Sequence, residues 1–329
     1  MQVSSTSFRV RVLQLNPTKS RYDDSVISIG TPSVPTLPSN VDFISSPANP
    51  FVKHCLKLRQ SSSYRHSHSS VIVVGTNPIR EITNFQELVE GKPTTVDCLL
   101  VLDGVEVPKG LSYSSMRIVR VSSTVMKKVS GVQSIDSIEA VALMRIPTSF
   151  CNLNDNQKEA NVHNLFTSPR RILVLDGIQD PGNLGALLRS AIAFGWDGVF
   201  MLPGCCDPFN DKALRAARGA SFQIPIVAGN WAHLESLKKE KKMKMLAAHP
   251  ESDQGPKSSS PLSRELAKAL MDKHLCLIMG SEGNGLSEES KQASELITIP
   301  MAGNFESLNV SVAGGIFLFM LQSRNQTLV

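Results

Sequence analysis

Three short stretches set polar side chains and glycines directly beside strongly apolar runs. The first spans 175–190. Asp180-Pro181-Gly182 makes a turn there, Asn183 stands at a helix start, and Arg189 lies almost two turns further on among Leu187, Leu188, Ala191 and Ile192. A guanidinium on so apolar a helix requires a partner anion or a wet cleft. The second stretch, 276–285, runs from an apolar segment into a loop with Gly280, Gly283 and Gly285, and Glu282 is its charged side chain. Glycines at this density permit left-handed backbone and close approach to a ligand. The third, 299–319, leaves Ile299, is stopped by Pro300, and passes Met301, Gly303, Asn304, Glu306, Ser307, Leu308 and Asn309 before an apolar run from Val310 to Phe319. Polar groups on a short loop between two buried elements cost free energy unless they bind something. Neither a Gly-x-Gly-x-x-Gly after the first strand nor a Gly-Lys-Ser/Thr ending is present, so dinucleotide and nucleoside-triphosphate sites lose their physical basis.

The elements around these loops alternate. Apolar runs predict strands at 171–176, 198–202, 224–227, 245–248, 276–279 and 296–299, with helices at 182–194, 211–217, 232–242, 264–271 and 310–319. Alternation of this kind implies a mainly parallel sheet with ligands at the C-terminal ends of its strands. Ser307 or Asn309 would cap the last helix. Upstream, 41–148 reads as a smaller α/β unit, with a helix near 51–59, strands at 71–74, 95–102 and 119–121, and helices at 79–90 and from 122. Lys53, Lys57 and Arg59 on the wetter side of its opening helix, with Arg65 close behind, form a candidate RNA-contacting face. Residues 149–169, rich in asparagine, read as a linker to a second domain at 170–329. The loop near 251–263 has the composition of a mobile segment.

Bulk properties narrow the class. A chain of 329 residues accommodates two domains, and 41% hydrophobic with 19% charged residues fits a globular protein. The net charge of +5 is compatible with a nucleic-acid partner. Six cysteines without a Cys-x-x-Cys spacing indicate neither a zinc site nor a disulfide framework, and read as buried free thiols in a reducing compartment. No metal is expected. No apolar run is long enough to span a bilayer as a helix. Residues 1–40 carry Arg9, Arg11, Lys19 and Arg21 among Ser and Thr, with no acidic residue before Asp23 and no apolar core. That pattern reads as an organellar targeting segment, for a chloroplast with a mitochondrion as the alternative.

The three stretches together resemble the signature motifs of the SpoU (TrmH-type) branch of the SPOUT RNA methyltransferases. Asn183 and Arg189 match the first motif, 280–285 the second, and 307–313 the third, in the family's order and strand-loop context. The segment 44–65, with Asn49-Pro50 and Lys53, is similar to the ribosomal-protein-like substrate-binding domain that many members carry. The resemblance implies a trefoil-knotted C-terminal domain, S-adenosylmethionine as cofactor, a homodimer, and methyl transfer to a ribose 2′-hydroxyl of RNA, ribosomal RNA before transfer RNA. It implies that Gly280, Ile299, Met301, Gly303 and Leu308 hold the cofactor. It also implies that Arg189, Asn183, Glu282, Ser307 and Asn309 serve the reaction. The family helix near 212–220 has Ala217 where a serine is more usual, which bears on a phosphate contact there. A non-catalytic RNA-binding or ribosome-assembly factor on the same fold is the alternative; a nicotinamide-dependent oxidoreductase fits the alternation but lacks the glycine fingerprint.

Overall fold

The computed structural model describes residues 42–88, 96–111, 116–132, 138, 140–153, 165–250, 259–303 and 307–323. The expected targeting segment lies outside these residues, as do Asn304, Glu306, the centre of the expected linker and most of the 251–263 loop. The first half of the chain holds β1 (Phe43–Ile44), α1 (Pro50–Gln60), α2 (Ser62–His68), β2 (Ser70–Val74), α3 (Thr76–Leu88), β3 (Val96–Leu102), β4 (Ile118–Val121), α4 (Ser123–Ser130), β5 (Ala140–Arg145) and β6 (Phe150–Asn152). The second half holds β7 (Arg171–Asp176), α5 (Pro181–Ala193), β8 (Gly198–Met201), α6 (Asp211–Ala217), β9 (Ile226–Ala228), α7 (Trp231–Lys241) and β10 (Lys244–Ala248). It ends with β11 (Ser260–Pro261), α8 (Arg264–Leu270), β12 (Leu275–Gly280), α9 (Glu288–Ala293), β13 (Glu295–Thr298) and α10 (Val310–Met320).

Two sheets result. The smaller has the order β1-β4-β3-β5-β2, in which β5 runs antiparallel to both its neighbours. The sequence reading had no strand at 140–145, because Ala, Leu and Met there carry little strand propensity; burial between β3 and β2 decides the conformation. The larger has the order β11-β13-β10-β12-β7-β8-β9-β6, with every described pair parallel. After the edge strand β6, the chain lays down β7 in the middle of this sheet, adds β8 and β9 on one side, then crosses to the other for β10 and β12. That reversal beside β7 creates a crevice at the C-terminal strand ends, where open parallel sheets bind ligands.

The stretch expected to be a linker is partly built into this sheet. Cys151 pairs with Val227, and Leu153 and Phe166 are buried in the core beneath β7 and β8. A three-residue edge strand flanked by polar residues has too short a pattern to be legible. The face of the smaller sheet away from α1 and α4 is filled by Ile79 and Ile82 of α3 together with Phe209, Leu214 and Phe222 from the second half of the chain. Each such side chain contributes about 1.5–3 kcal/mol on burial. The two halves therefore share a core.

A buried ion pair reinforces that contact. Arg65, expected on an RNA-facing surface, is 2% exposed. It donates to Asp207 at 2.6 Å and 3.0 Å and to the carbonyls of Leu58 and Arg59. Ser62 also donates to Asp207, at 2.7 Å. Lys53 and Lys57 remain exposed on α1. A second buried arginine, Arg171, opens β7 and donates to the carbonyls of Leu270, Met271, Lys273 and Leu321, tying the ends of α8 and α10 to the far edge of the sheet.

Candidate functional site

The first motif is positioned by α5. Asp180 caps it, accepting the Asn183 amide at 2.8 Å, and Pro181 supplies the preset φ of a first helical residue. Asn183 is therefore not the cap; it sits in the first turn with its side chain free to reach outward. Leu184, Leu187, Leu188 and Ala191 form the buried face. Gly185 lets α6 approach, since a Cβ there would lie 2.7 Å from the Ala216 Cβ and 2.8 Å from the Ala217 nitrogen. Ala217 is fully buried at that crossing, so its position makes no phosphate contact whatever residue stands there. Gly314 of α10 packs onto Leu187 from the other side.

The second motif follows β12. Ser281 and Gly285 exchange backbone hydrogen bonds at 3.0 Å and 2.9 Å, folding the loop on itself, and Gly285 takes a left-handed φ of 68°. Gly280 lies against this turn so closely that a Cβ would sit 2.5 Å from the Gly285 carbonyl carbon and 2.6 Å from the Leu286 nitrogen. The third motif leaves β13. Asn309 caps α10, accepting from the Ser311 amide at 2.9 Å and hydroxyl at 2.6 Å and from the Val312 amide at 3.3 Å.

Side chains join the three. Asn183 donates to Glu282, and Asn309 donates to the Asn183 amide oxygen at 3.2 Å. The first motif, 99 and 126 residues away from the other two along the chain, thus meets them in one hydrogen-bonded line. Beside it opens a cavity of about 450 Å³. Gly280, Ile299, Met301 and Leu308 line it, as do Glu282, Ser307 and Asn309. Gly303 is exposed and does not line it. Neither does Arg189, which is exposed on α5 and makes no hydrogen bond or ion pair among the described residues. The apolar neighbours of Arg189 in sequence point inward on other faces of the helix, so the charge needs no buried anion.

Further wall residues were not singled out from the sequence. Ala248 ends β10 and His249 and Pro250 follow it, while Leu286 precedes α9 and Lys291 lies on it. Their signal was positional: β10 adjoins both β12 and β13, so its C-terminal end must face the same crevice. The apolar part of the wall, Met279, Ile299, Leu308, Val310 and Phe317, suits a flat heterocycle, and the glycine-lined turn presents backbone groups to it. The polar rim of Ser281, Glu282, Ser307 and Asn309 suits hydroxyl and ammonium groups. A cavity of about 450 Å³ has the size and chemistry for a nucleoside with a short amino-acid tail, so the residues present fit S-adenosylmethionine. Cys205 and Cys206 lie outside this cavity, packed beneath the first motif with Cys205 donating to the Leu175 carbonyl. Burial pushes their thiols up, to about 11 and about 12, so both stay protonated and unreactive.

Comparison with known proteins agrees with this geometry. Residues 170–319 match the SpoU rRNA Methylase family. The chain is 28% identical over 281 residues to the 23S rRNA (guanosine(2553)-2′-O)-methyltransferase RlmP of Bacillus subtilis, covering 85% of this chain and 98% of that protein. Over 150 residues it is 37% identical to the 23S rRNA (guanosine-2′-O-)-methyltransferase RlmB of Escherichia coli, 45% of this chain and 58% of that one. Among solved structures, an AdoMet-bound rRNA methyltransferase from Sinorhizobium meliloti superposes with a TM-score of 0.65 at 23% identity, covering 85% of this chain and 97% of that chain. The SpoU methyltransferase AviRb from Streptomyces viridochromogenes gives 0.64 at 19% identity, covering 83% and 96%. With three motifs meeting at one cavity on a parallel sheet of this topology, residues 170–319 form a domain of the SpoU rRNA Methylase family.

Proposed function

We propose that this protein methylates a ribose 2′-hydroxyl of ribosomal RNA, with S-adenosylmethionine bound in the cavity between β10, β12 and β13. One observation carries the reading: Asn183, Glu282 and Asn309, each from a different motif, are hydrogen-bonded in a line at the cavity rim. The cofactor, when bound, supplies a methyl group already activated on a sulfonium. What remains for the protein is alignment of a weakly acidic hydroxyl and relief of the negative charge that develops on it. Gly280, Ile299, Met301 and Leu308 hold the cofactor, while Ser307 and the Asn183–Glu282–Asn309 line orient the ribose.

Arg189 is assigned to the developing charge and the adjoining phosphate. Its guanidinium stays protonated in essentially any protein setting, which suits a charge stabiliser and not a base. In one chain Arg189 does not line the cavity, so the assignment requires a twofold mate to bring it there. The surface around it supports such a homodimer. Val312 and Phe319, seven residues apart on α10 beside α5, are 52% and 44% exposed, and Leu308, just before the cap of that helix, is 39% exposed. Phe194 of α5 meets Phe319 edge-to-face at 5.5 Å, continuing the apolar surface. RNA approaches the smaller sheet's α1 face, where Lys53 and Lys57 are exposed, and the N-terminal segment directs the protein to a chloroplast.

The test is methylation of 23S-type ribosomal RNA fragments by the purified protein with radiolabelled cofactor, followed by ribose-methylation mapping. Methyl incorporation at one ribose is expected. Cofactor binding without methylation of ribosomal or transfer RNA would overturn the assignment in favour of a non-catalytic RNA-binding factor. For the dimer, Val312→Lys is expected to halve the mass measured by sedimentation; an unchanged mass would remove Arg189 from the site.

A further inference from the structure

Asp176 ends β7 one rung from the site, its partner across the ladder being Gly280 of β12. It is 8% exposed and does not line the cavity. Three donors converge on one of its oxygens, Oδ2: the Ser287 amide at 2.8 Å, the Ser287 hydroxyl at 2.8 Å and the Ser290 hydroxyl at 2.5 Å. All come from the cap and first turn of α9. Ser287 in turn caps that helix by accepting the Ser290 amide at 3.2 Å, so one carboxylate orients the whole entry into α9.

The consequence lies in what hangs between Gly280 and Ser287. That loop carries Glu282, Asn284 and Leu286 along the cavity wall, and α9 carries Lys291 on it. Its start is fixed by the β12–β7 ladder and by the Ser281–Gly285 pair of backbone bonds. Its end is fixed by Asp176. The strand beneath is held independently, since Ile172, Leu173, Val174 and Leu175 of β7 are packed in apolar core and Arg171 is bonded to backbone carbonyls. Loss of the carboxylate would therefore release the loop and α9 while leaving the sheet assembled.

We infer that Asp176 is a positioning residue for the cofactor cavity, holding the loop 281–286 and α9 in the shape that binds S-adenosylmethionine. The inference rests on the reading of that cavity as the cofactor site. Charge-assisted hydrogen bonds to a buried carboxylate are strong, and an amide oxygen in the place of Oδ2 carries no formal charge, so Asp176→Asn weakens all three at once.

Asp176→Asn in the full chain is the test, with calorimetric affinity for S-adenosylmethionine and for S-adenosylhomocysteine as the first readout. Both dissociation constants are expected to rise about tenfold, the order of the charge assistance lost from these bonds. RNA affinity should not change. At saturating cofactor kcat should return close to the wild-type value, so that the defect resides in the KM for cofactor. A folded Asp176→Asn protein with wild-type cofactor affinity overturns the inference, and so does an equal loss of RNA and cofactor affinity, which would mark a global effect. If that variant does not fold, Ser290→Ala removes one donor and is expected to raise the same constants severalfold; no change overturns the inference equally. Tight binding by wild type and variant alike sinks only the role of Asp176, whereas a wild-type protein that does not bind the cofactor removes the cavity assignment along with it.

Discussion

At the scale of single residues, the site proposed above divides holding the cofactor, at Gly280, from using it, at Arg189. Gly280 faces backbone atoms that have no rotamer to give way, with the Gly285 carbonyl carbon at 2.5 Å and the Leu286 nitrogen at 2.6 Å from a built Cβ. Gly280→Ala must therefore open the turn that forms part of the cavity wall. We expect it to cost about tenfold or more in cofactor affinity by calorimetry, with the cost of overpacking, about 1–3 kcal/mol, concentrated at this loop. Arg189→Ala should behave in the opposite way. Its side chain is exposed and outside the cavity of its own chain, so cofactor affinity should be retained. Methyl transfer should fall on the order of a hundredfold or more in single-turnover assays, the scale of losing a donor aimed at developing charge. Near-normal turnover would end the role assigned to that guanidinium. The sequence made both residues visible, but not their placement. Glycine density marks a close approach wherever it occurs, whereas the face on which Arg189 sits depends on where α6 and α10 pack against α5.

At the scale of elements, Asn309 performs two jobs with the two ends of one amide. Its oxygen caps α10 through the Ser311 and Val312 amides, and its nitrogen donates to Asn183. Asn309→Ala should destabilise the protein by about 1 kcal/mol through the lost cap, read as a lower thermal midpoint. Asn309→Ser keeps a capping oxygen but not the reach to Asn183, so it should recover the midpoint without recovering methylation. Recovery of both by serine would show that capping alone matters. Much at this scale was legible in advance: α5, α6, α7, α8 and α10 fall within a few residues of their apolar periodicities, because each buries one apolar face. Three of the missed elements have a related cause. β6 and α9 are short, β5 carries little strand propensity, and what fixes each lies elsewhere in the chain: β2 and β3 flank β5, β9 pairs with β6, and Asp176 anchors α9. The buried position of Arg65 was hidden for the same reason, since its partner Asp207 stands 142 residues away.

At the scale of the whole molecule, Asp207 decides how the two halves are held together. Burial on its own would raise the pKa of this carboxyl. Hydrogen bonds from His66 and Ser62, the charge of Arg65 and the Phe209 amide outweigh burial and hold it well below the usual carboxylate range. A carboxyl whose folded pKa is depressed adds stability that is fully present above its unfolded pKa, and this stability is lost as the pH falls toward the folded value. Stability measured by urea unfolding should therefore be flat in this contribution near neutral pH and decline once the pH drops below about 4, where an unfolded aspartate takes up its proton. Asp207→Ala removes that acid-dependent part and leaves the Arg65 guanidinium buried with only the carbonyls of Leu58 and Arg59. Truncating one partner of a buried pair costs about 3–5 kcal/mol. The loss should be shared by both halves, because Phe209 and Leu214 of one complete the core of the other. A single unfolding transition that moves as a unit in the variant is the expected outcome. Two separated transitions, with the half containing the cavity unaffected, would mean that the smaller sheet is merely tethered and that the Arg65–Asp207 contact does not hold the two halves together.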